Sequence, residues 1–423
     1  MQSAKMRQTS NRFYAKQGVF VMKCRHCNTE LTLQLVDLGS SPPSNAFRDS
    51  PNGQEVYYPL QVLVCTDCFL VQTNLDLFKL DYDELFTADY PYYSSTSPSF
   101  VAHAKRYVED MTKRFELGPD SLTVEVGAND GYLLQHMKTP CCGIEPTAAG
   151  EKAEAKGILI FRNFFTDEYA KTIVPRLGKA DLMIANNVLA HVPDINDFVK
   201  GFTALLKDDG VATFEFASLL SVIQNNLVGQ IYHEHYYTLS LTAVQRIFKH
   251  NGLDIFDVEC LPFHGGSYRV YAQKRETGKH ERTQFVRMIL DREEEAGMKT
   301  QKFYTDFQVA AERVKNNLLV FLLQARILKR SVAVFGAAAK LNTLLNFAGA
   351  RSDLISYIVD ETPSKIGKFL PGSRIPVYGE FITKPDYVII GASNWKDDIM
   401  KKLDYMRADG VRFVITEPQL EIL

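Results

Sequence analysis

The chain has 423 residues, too many for one ordinary core, so two or three domains are expected. Its composition is that of a globular protein, 46% apolar and 23% charged, with a formal net charge of −2. The absence of a basic excess or stripe argues against a nucleic-acid partner, and the absence of a bilayer-length apolar run or a signal-peptide core argues against a membrane, which leaves the cytoplasm as the expected location.

Residues 1–22 read as a polar tail. Residues 23–80 carry short strand-like pieces around two knuckles, Cys24-Arg25-His26-Cys27 and Cys65-Thr66-Asp67-Cys68. Each C-x-x-C turn places two thiolates on one side of a tight loop. Cys24, Cys27, Cys65 and Cys68 together supply the four soft ligands of a closed tetrahedral zinc site. Such a site is structural, because no position is left for water. His26 is not needed as a ligand. Cys141, Cys142 and Cys260 read as small core residues.

Residues 81–275 alternate apolar strands with helical stretches, the pattern of a parallel α/β sheet. Leu122–Val126 is a strand that runs through Glu125 into the turn Gly127-Ala128-Asn129-Asp130-Gly131, and then into a helix-like run from Tyr132 to Met137. A second strand ends at Glu145, whose carboxylate suits a ribose diol. A third strand, Asp181–Ala185, leads into Asn186, Asn187 and His191. This ordered series resembles class I methyltransferases that use S-adenosylmethionine. The resemblance implies a cofactor site built from Glu125, Gly127, Asn129, Asp130, Gly131, Glu145, Asn186 and Asn187. The stretches 196–209 and 240–251 read as helices that serve the core.

Tyr232-His233-Glu234-His235 concentrates titratable and aromatic groups, as a site does. A helical turn would pair Tyr232 with His235, whereas a strand would pair His233 with His235. Histidine suits the removal of a proton beside a ketone, and tyrosine or a second histidine suits a hydrogen bond to the resulting enolate.

Residues 276–330 read as helical, with a break at Gly297. From Ser331 a second strand–helix alternation begins: strand Ser331–Phe335, turn Gly336–Lys340, helix Asn342–Phe347, and strand Ile355–Val359 ending at Asp360. A further strand-end loop, Gly391–Asn394, follows Tyr387–Ile390. These strand ends, with their backbone amides and Lys340, suit an anionic ligand.

Taken together, the knuckles, the Tyr90-Pro91-Tyr92-Tyr93-Ser94-Ser95 segment, the Glu125–Gly131 turn, Tyr232–His235, His264-Gly265-Gly266-Ser267 and Val332–Lys340 resemble the sugar C-methyltransferase family. Its members methylate 4-keto deoxysugars carried on thymidine diphosphate. The resemblance implies an α/β chain: an N-terminal zinc-binding module, a central class I methyltransferase domain (81–275), and a second Rossmann-like domain (276–423) that holds the nucleotide sugar, its diphosphate at the strand ends and Lys340. It implies S-adenosylmethionine and structural zinc as cofactors. It implies that His235 is the base, with Tyr232, Glu234 and His191 beside it. Tyr90, Tyr92, Tyr93, His233 and Lys340 are the expected substrate contacts, and which of the three tyrosines faces the site stays open. Leu341 and Tyr268 depart from the family pattern and put the exact substrate in question. Competing readings are a nucleic-acid methyltransferase, a non-catalytic binding module, and methylation at sugar oxygen or nitrogen.

Overall fold

The computed structural model describes residues 22–75, 85–86 and 93–423. Residues 1–21, Tyr90 and Tyr92 therefore lie outside the described residues. Three sheets organise the described residues.

The first sheet is an antiparallel meander of β1 (Leu33–Ser41), β2 (Tyr58–Val64) and β3 (Val71–Thr73). Alternation along β2 buries Leu60, Val62 and Val64 on one face. A fourth strand, β9 (Tyr237–Thr238), joins from far along the chain, with Gln72 opposite Tyr237. The residues that follow the Tyr-His-Glu-His run are thus part of the N-terminal sheet.

The second sheet contains β4 (Thr123–Val126), β5 (Cys141–Ile144), β6 (Leu159–Phe161), β7 (Ala180–Asn186), β8 (Leu206–Ala217), β10 (Leu253–Leu261) and β11 (Ser267–Lys274). Their order is β10-β11-β8-β7-β4-β5-β6. β4 to β8 run parallel, and β11 is antiparallel to both its neighbours. Strand order reverses between β4 and β7, so the ligand crevice lies beyond their carboxyl ends. Helices α1 (Pro98–Arg114), α2 (Ile195–Leu205) and α3 (Leu241–His250) accompany this sheet.

Two expected elements differ. The run from Tyr132 to Met137 is no α-helix; only Leu134–His136 forms a 3-10 turn. Pro140 and the immediate start of β5 leave no length for more turns. The helix expected over 196–209 ends at Leu205, because Leu206–Asp209 already belong to β8.

The helical stretch after residue 275 serves both sides. Helix α4 (Gln284–Glu295) lies against α3 and β10. Its fully buried Glu293 accepts hydrogen bonds from the first amides of α3, Leu241 N at 2.9 Å and Thr242 N at 2.8 Å. This carboxylate at a helix N-terminus satisfies two amides with no partner inside the helix. Gly297, at φ 90°, turns the chain away. Helix α5 (Phe307–Ile327) then packs on β1 and on α6 (Ala339–Ala348).

The third sheet is β14 (Val377–Tyr378), β13 (Ile358–Val359), β12 (Val332–Phe335), β15 (Tyr387–Ile390), β16 (Arg412–Ile415) and β17 (Glu421–Ile422), in that order. All pairs are parallel except β16–β17. The carboxyl ends of β12 and β13 and those of β4, β5 and β7 open onto one cavity of about 840 Å³. No helix of the described residues is long and apolar enough to cross a membrane.

Candidate active site

The sulfurs of Cys24, Cys27, Cys65 and Cys68 lie within 4.8 Å of one another. Tetrahedral zinc, with Zn–S near 2.3 Å, requires sulfurs roughly 3.8 Å apart. The chemistry and spacing of the donors fit the metal. Gln72 Nε2 points at Cys24 Sγ from 3.3 Å, a hydrogen bond that suits a thiolate. His26 is turned away: its Nδ1 meets Asn196 Oδ1 at 2.8 Å, which ties the first knuckle to α2. Of the remaining cysteines only Cys142 is buried; Cys260 is exposed at the end of β10, which corrects its reading as a core residue.

The cofactor side of the cavity is built at the ends of β4, β5 and β7. Gly127 adopts φ 71°, and a Cβ there would sit 2.5 Å from Val188 Cγ2. Only glycine lets the strand turn under the cavity floor. Glu145 Oε2 accepts from Asn129 N at 2.9 Å, and its Oε1 accepts from Thr147 N at 2.9 Å. Thr147 Oγ1 also donates to Oε1 at 2.6 Å, so the lone pair that remains for a ribose hydroxyl is on Oε2. Gly127, Asn129, Glu145, Asn186 and Asn187 line the cavity. Asn186 Oδ1 is buried there with no hydrogen-bond partner, which fits an incoming ammonium. Glu125, Asp130 and Gly131 do not line the cavity but stand behind its wall. Burial pushes the Glu125 carboxyl well up. Asp130 and Asn129 instead clasp the Tyr93–Ser95 segment: Asn129 Oδ1 accepts from Ser94 N at 2.9 Å, and Asp130 Oδ2 accepts from Ser95 N at 3.3 Å and from Ser95 Oγ. Tyr93 lines the cavity, with Lys152 Nζ 3.3 Å from its ring centre.

The Tyr-His-Glu-His run is a turn, His235 N donating to Tyr232 O at 2.9 Å. It therefore sorts its side chains as a helical turn would. Tyr232 and His235 face the cavity, whereas His233 and Glu234 do not line it. His235 Nδ1 lies 2.7 Å from Gln230 O. A carbonyl only accepts, so Nδ1 carries the proton and Nε2 presents its lone pair. Tyr232 OH donates to that Nε2 at 2.6 Å. Burial first, then the positive potential of His191, Lys340 and His264, holds His235 well below the usual imidazole range, hence neutral. His191 is fixed likewise by donation to Glu234 O at 2.7 Å, and burial lowers it to about 4.

The other two residues of the run look away from the chemistry. His233 is fully buried and donates through Nε2 to Tyr58 O at 3.1 Å. Glu234 Oε1 accepts from Asn45 N at 2.9 Å and Asn45 Nδ2 at 3.0 Å. Both fasten the run to the N-terminal module. His233, expected as a substrate contact, and Glu234, expected beside the base, thus lie outside the cavity lining, because a two-residue step on a turn sends side chains to opposite sides.

Across the cavity, Lys340 Nζ donates to His264 Nδ1 at 3.4 Å, and both residues line the space. Lys365 holds Asp360 at 3.2 Å beside Ala337 N, which also donates to Asp360. Tyr268 and Leu341, expected to reshape the pocket, do not line it; Tyr268 packs edge-on to Phe216 and Leu341 is buried behind Lys340.

Three family models match in the order of the three sheets: "Putative zinc binding domain" over 24–78, "Methyltransferase domain" over 100–258, and "C-methyltransferase C-terminal domain" over 262–418. The C-methyltransferase NovU of Streptomyces niveus is 30% identical over 411 residues, covering 95% of this chain and 96% of NovU. The chain belongs to the NovU-like C-methyltransferases. Among solved structures, a SAM-dependent methyltransferase from Anabaena variabilis is 15% identical, covers 41% of this chain and 86% of its own, and gives a TM-score of 0.34. Magnesium protoporphyrin IX methyltransferase of Synechocystis with bound SAH is 17% identical, with 41% and 83% covered and a TM-score of 0.32.

This C-methyltransferase is therefore S-adenosylmethionine-dependent and carries a four-cysteine zinc site. Four of its cavity or cavity-side groups escaped the sequence reading as site residues: Asn45, Gln230, His264 and Glu417. For His264 a signal existed, since a histidine before two glycines marks an unusual backbone, here φ 58°. Asn45 and Glu417 reach their places only through tertiary packing.

Proposed function

We propose that this C-methyltransferase transfers the methyl group of S-adenosylmethionine to a carbon beside the ketone of a thymidine-diphosphate 4-keto-deoxysugar, at C3. The single observation that carries this reading is the cavity itself. One space contains a glycine turn with a diol-binding carboxylate, a neutral histidine with an unprotonated nitrogen, and the amide-rich ends of a second Rossmann-like sheet.

The roles follow from the donors and acceptors present. Gly127, Asn129, Glu145, Asn186 and Asn187 hold the donor, which supplies an electrophilic methyl group and leaves as S-adenosylhomocysteine. The backbone of the turn at Gly336–Ala338 and the Lys365 side chain face the diphosphate. Tyr93 covers the sugar. The base is the Tyr232–His235 pair, in which the proton taken from carbon ends on His235 Nε2. Gln230 O fixes the tautomer that makes this possible. His191 and the His235 ring, 4.7 Å apart between centres, wall the reacting carbon.

His235→Ala tests the assignment. Turnover is expected to fall about 10²–10⁴-fold, the range of a lost general base, while donor affinity by calorimetry stays within about threefold. Donor affinity falling in step with turnover would overturn His235 as the base.

A further inference from the structure

A continuous chain of polar contacts runs from the catalytic pair into the C-terminal domain. Tyr232 OH donates to His235, and His235 donates to Gln230 O. Gln230 Nε2 donates to His264 O at 2.9 Å, and His264 Nδ1 accepts from Lys340 Nζ at 3.4 Å. Lys340 comes from the first turn of α6, on the other side of the cavity. Glu417, just beyond β16, accepts from Gly229 N at 2.8 Å and borders the same small void as Lys340. A lysine at the phosphate end would have no reason to be wired to the base. Here the ammonium is beside the histidines, at the reacting end.

We infer that Lys340, held at His264 with Glu417 across the same small void, is a catalytic residue that donates a hydrogen bond to the ketone oxygen as it becomes an enolate. The inference rests on the keto-sugar reading above and moves Lys340 from the diphosphate, where the sequence put it, to the carbonyl. When the C–H bond breaks, its proton goes to His235 Nε2 and its electron pair moves onto the carbonyl oxygen. Lys340 meets that negative charge without giving up its proton. When carbon takes the donor's methyl group, the pair returns and the ketone re-forms. A neutral base beside a fixed cation is the arrangement the step needs, since the enolate's charge appears in a water-poor site. His191 cannot supply that hydrogen bond while neutral, because its one N–H is committed to Glu234 O.

The groups facing Lys340 are Glu417 from the C-terminal sheet, His264 before β11, and His235 from the turn, with His103 and His191 beyond His264. Burial draws the Lys340 ammonium down to about 7, opposed by Glu417, and burial raises Glu417 to about 7. The charged form of Lys340 therefore prevails on the acid side of neutrality, and losing Glu417 moves that boundary to lower pH.

The test is steady-state kinetics of Lys340→Met and Glu417→Gln with a thymidine-diphosphate 4-keto-6-deoxysugar, together with donor-free exchange of the sugar's proton in heavy water. For Lys340→Met, kcat and exchange are expected to drop about 100-fold, with the sugar KM within about threefold. For Glu417→Gln, the alkaline limb of the kcat profile is expected to move to lower pH. A raised KM with kcat preserved would overturn the inference and return Lys340 to a binding role, and unchanged kinetics would overturn it too. If Lys340→Met does not fold, the Glu417→Gln profile decides, and an unmoved alkaline limb overturns the inference. Wild-type enzyme that neither exchanges nor methylates the sugar would sink the keto-sugar reading itself, and the inference with it.

Discussion

A backbone carbonyl decides what each histidine of the site can do. Gln230 O commits His235 Nδ1 as a donor and leaves Nε2 as the acceptor; Glu234 O commits His191 in the same way. Imidazoles of this kind, withdrawn from bulk water, stay neutral, because charging them forfeits hydration. His233 shows the consequence most cleanly, since it lines no cavity. Burial holds it at about 4, below its unfolded value near 6.5. Between those two values the unfolded chain binds the extra proton, so stability is lost as pH falls through that window. His233→Gln removes this term. From pH 7 to pH 5 wild type is expected to lose about 2 kcal/mol more unfolding free energy than the variant, measured by denaturant titration. Equal losses would mean that His233 is not held neutral.

At the scale of elements, the zinc module is a clamp on the Tyr232–His235 turn. Arg25, inside the first knuckle, lies over the rings of Tyr236 and Tyr237 at 5.2 and 5.8 Å. Thr73 N donates to Tyr236 O at 3.0 Å, β9 pairs with β3, Asn45 grips Glu234, and Tyr58 O receives His233. Zinc is the bond that joins all four cysteines, and without it the knuckles keep only hydrogen bonds such as that of Gln72 with Arg25 N, so their grip on residues 231–238 is lost first. Chelator-stripped protein is expected to show faster amide exchange over 231–238 and reduced kcat, with donor affinity within about threefold. Donor affinity lost as fully as turnover would show that zinc supports the whole fold instead. Features of this scale differ in how far they could be read from the sequence. The knuckles and the glycine turn were legible because their chemistry is local: two cysteines three apart, or a strand ending in glycine, mean the same thing in any context. The Tyr232–His235 run was legible as a cluster but not in orientation, because a turn and a strand divide the same four residues differently. The grip of Asn45 on Glu234 spans 189 positions and has no local signature.

At the scale of the molecule, the reaction space belongs to no single sheet. Asn45 enters it from the N-terminal module, Gly127, Asn187 and His191 from strand ends of the central sheet and the loops that follow them, Tyr232 and His235 from the turn that leads into β9, and Gly336 and Lys340 from the C-terminal sheet and α6. Two strand–helix alternations, and a cysteine-bearing region of short strands before them, were visible in the sequence. That their strand ends open onto one cavity was not, because the packing depends on α5 lying across β1 and α6. In the proposed reaction this layout separates tasks: one sheet would hold the methyl donor, another the nucleotide end, and the turn clamped by the zinc module would hold the base between them. The central claim is that this turn generates a carbanion equivalent beside a ketone. It is tested most directly by mass spectrometry of a thymidine-diphosphate 4-keto-6-deoxysugar incubated with the wild-type enzyme in heavy water, with and without S-adenosylmethionine. The expected result is enzyme-dependent deuterium uptake beside the ketone without the donor, and a methyl-sized mass gain on carbon with it. A methyl gain on oxygen, with no uptake above the uncatalysed background, would contradict the claim.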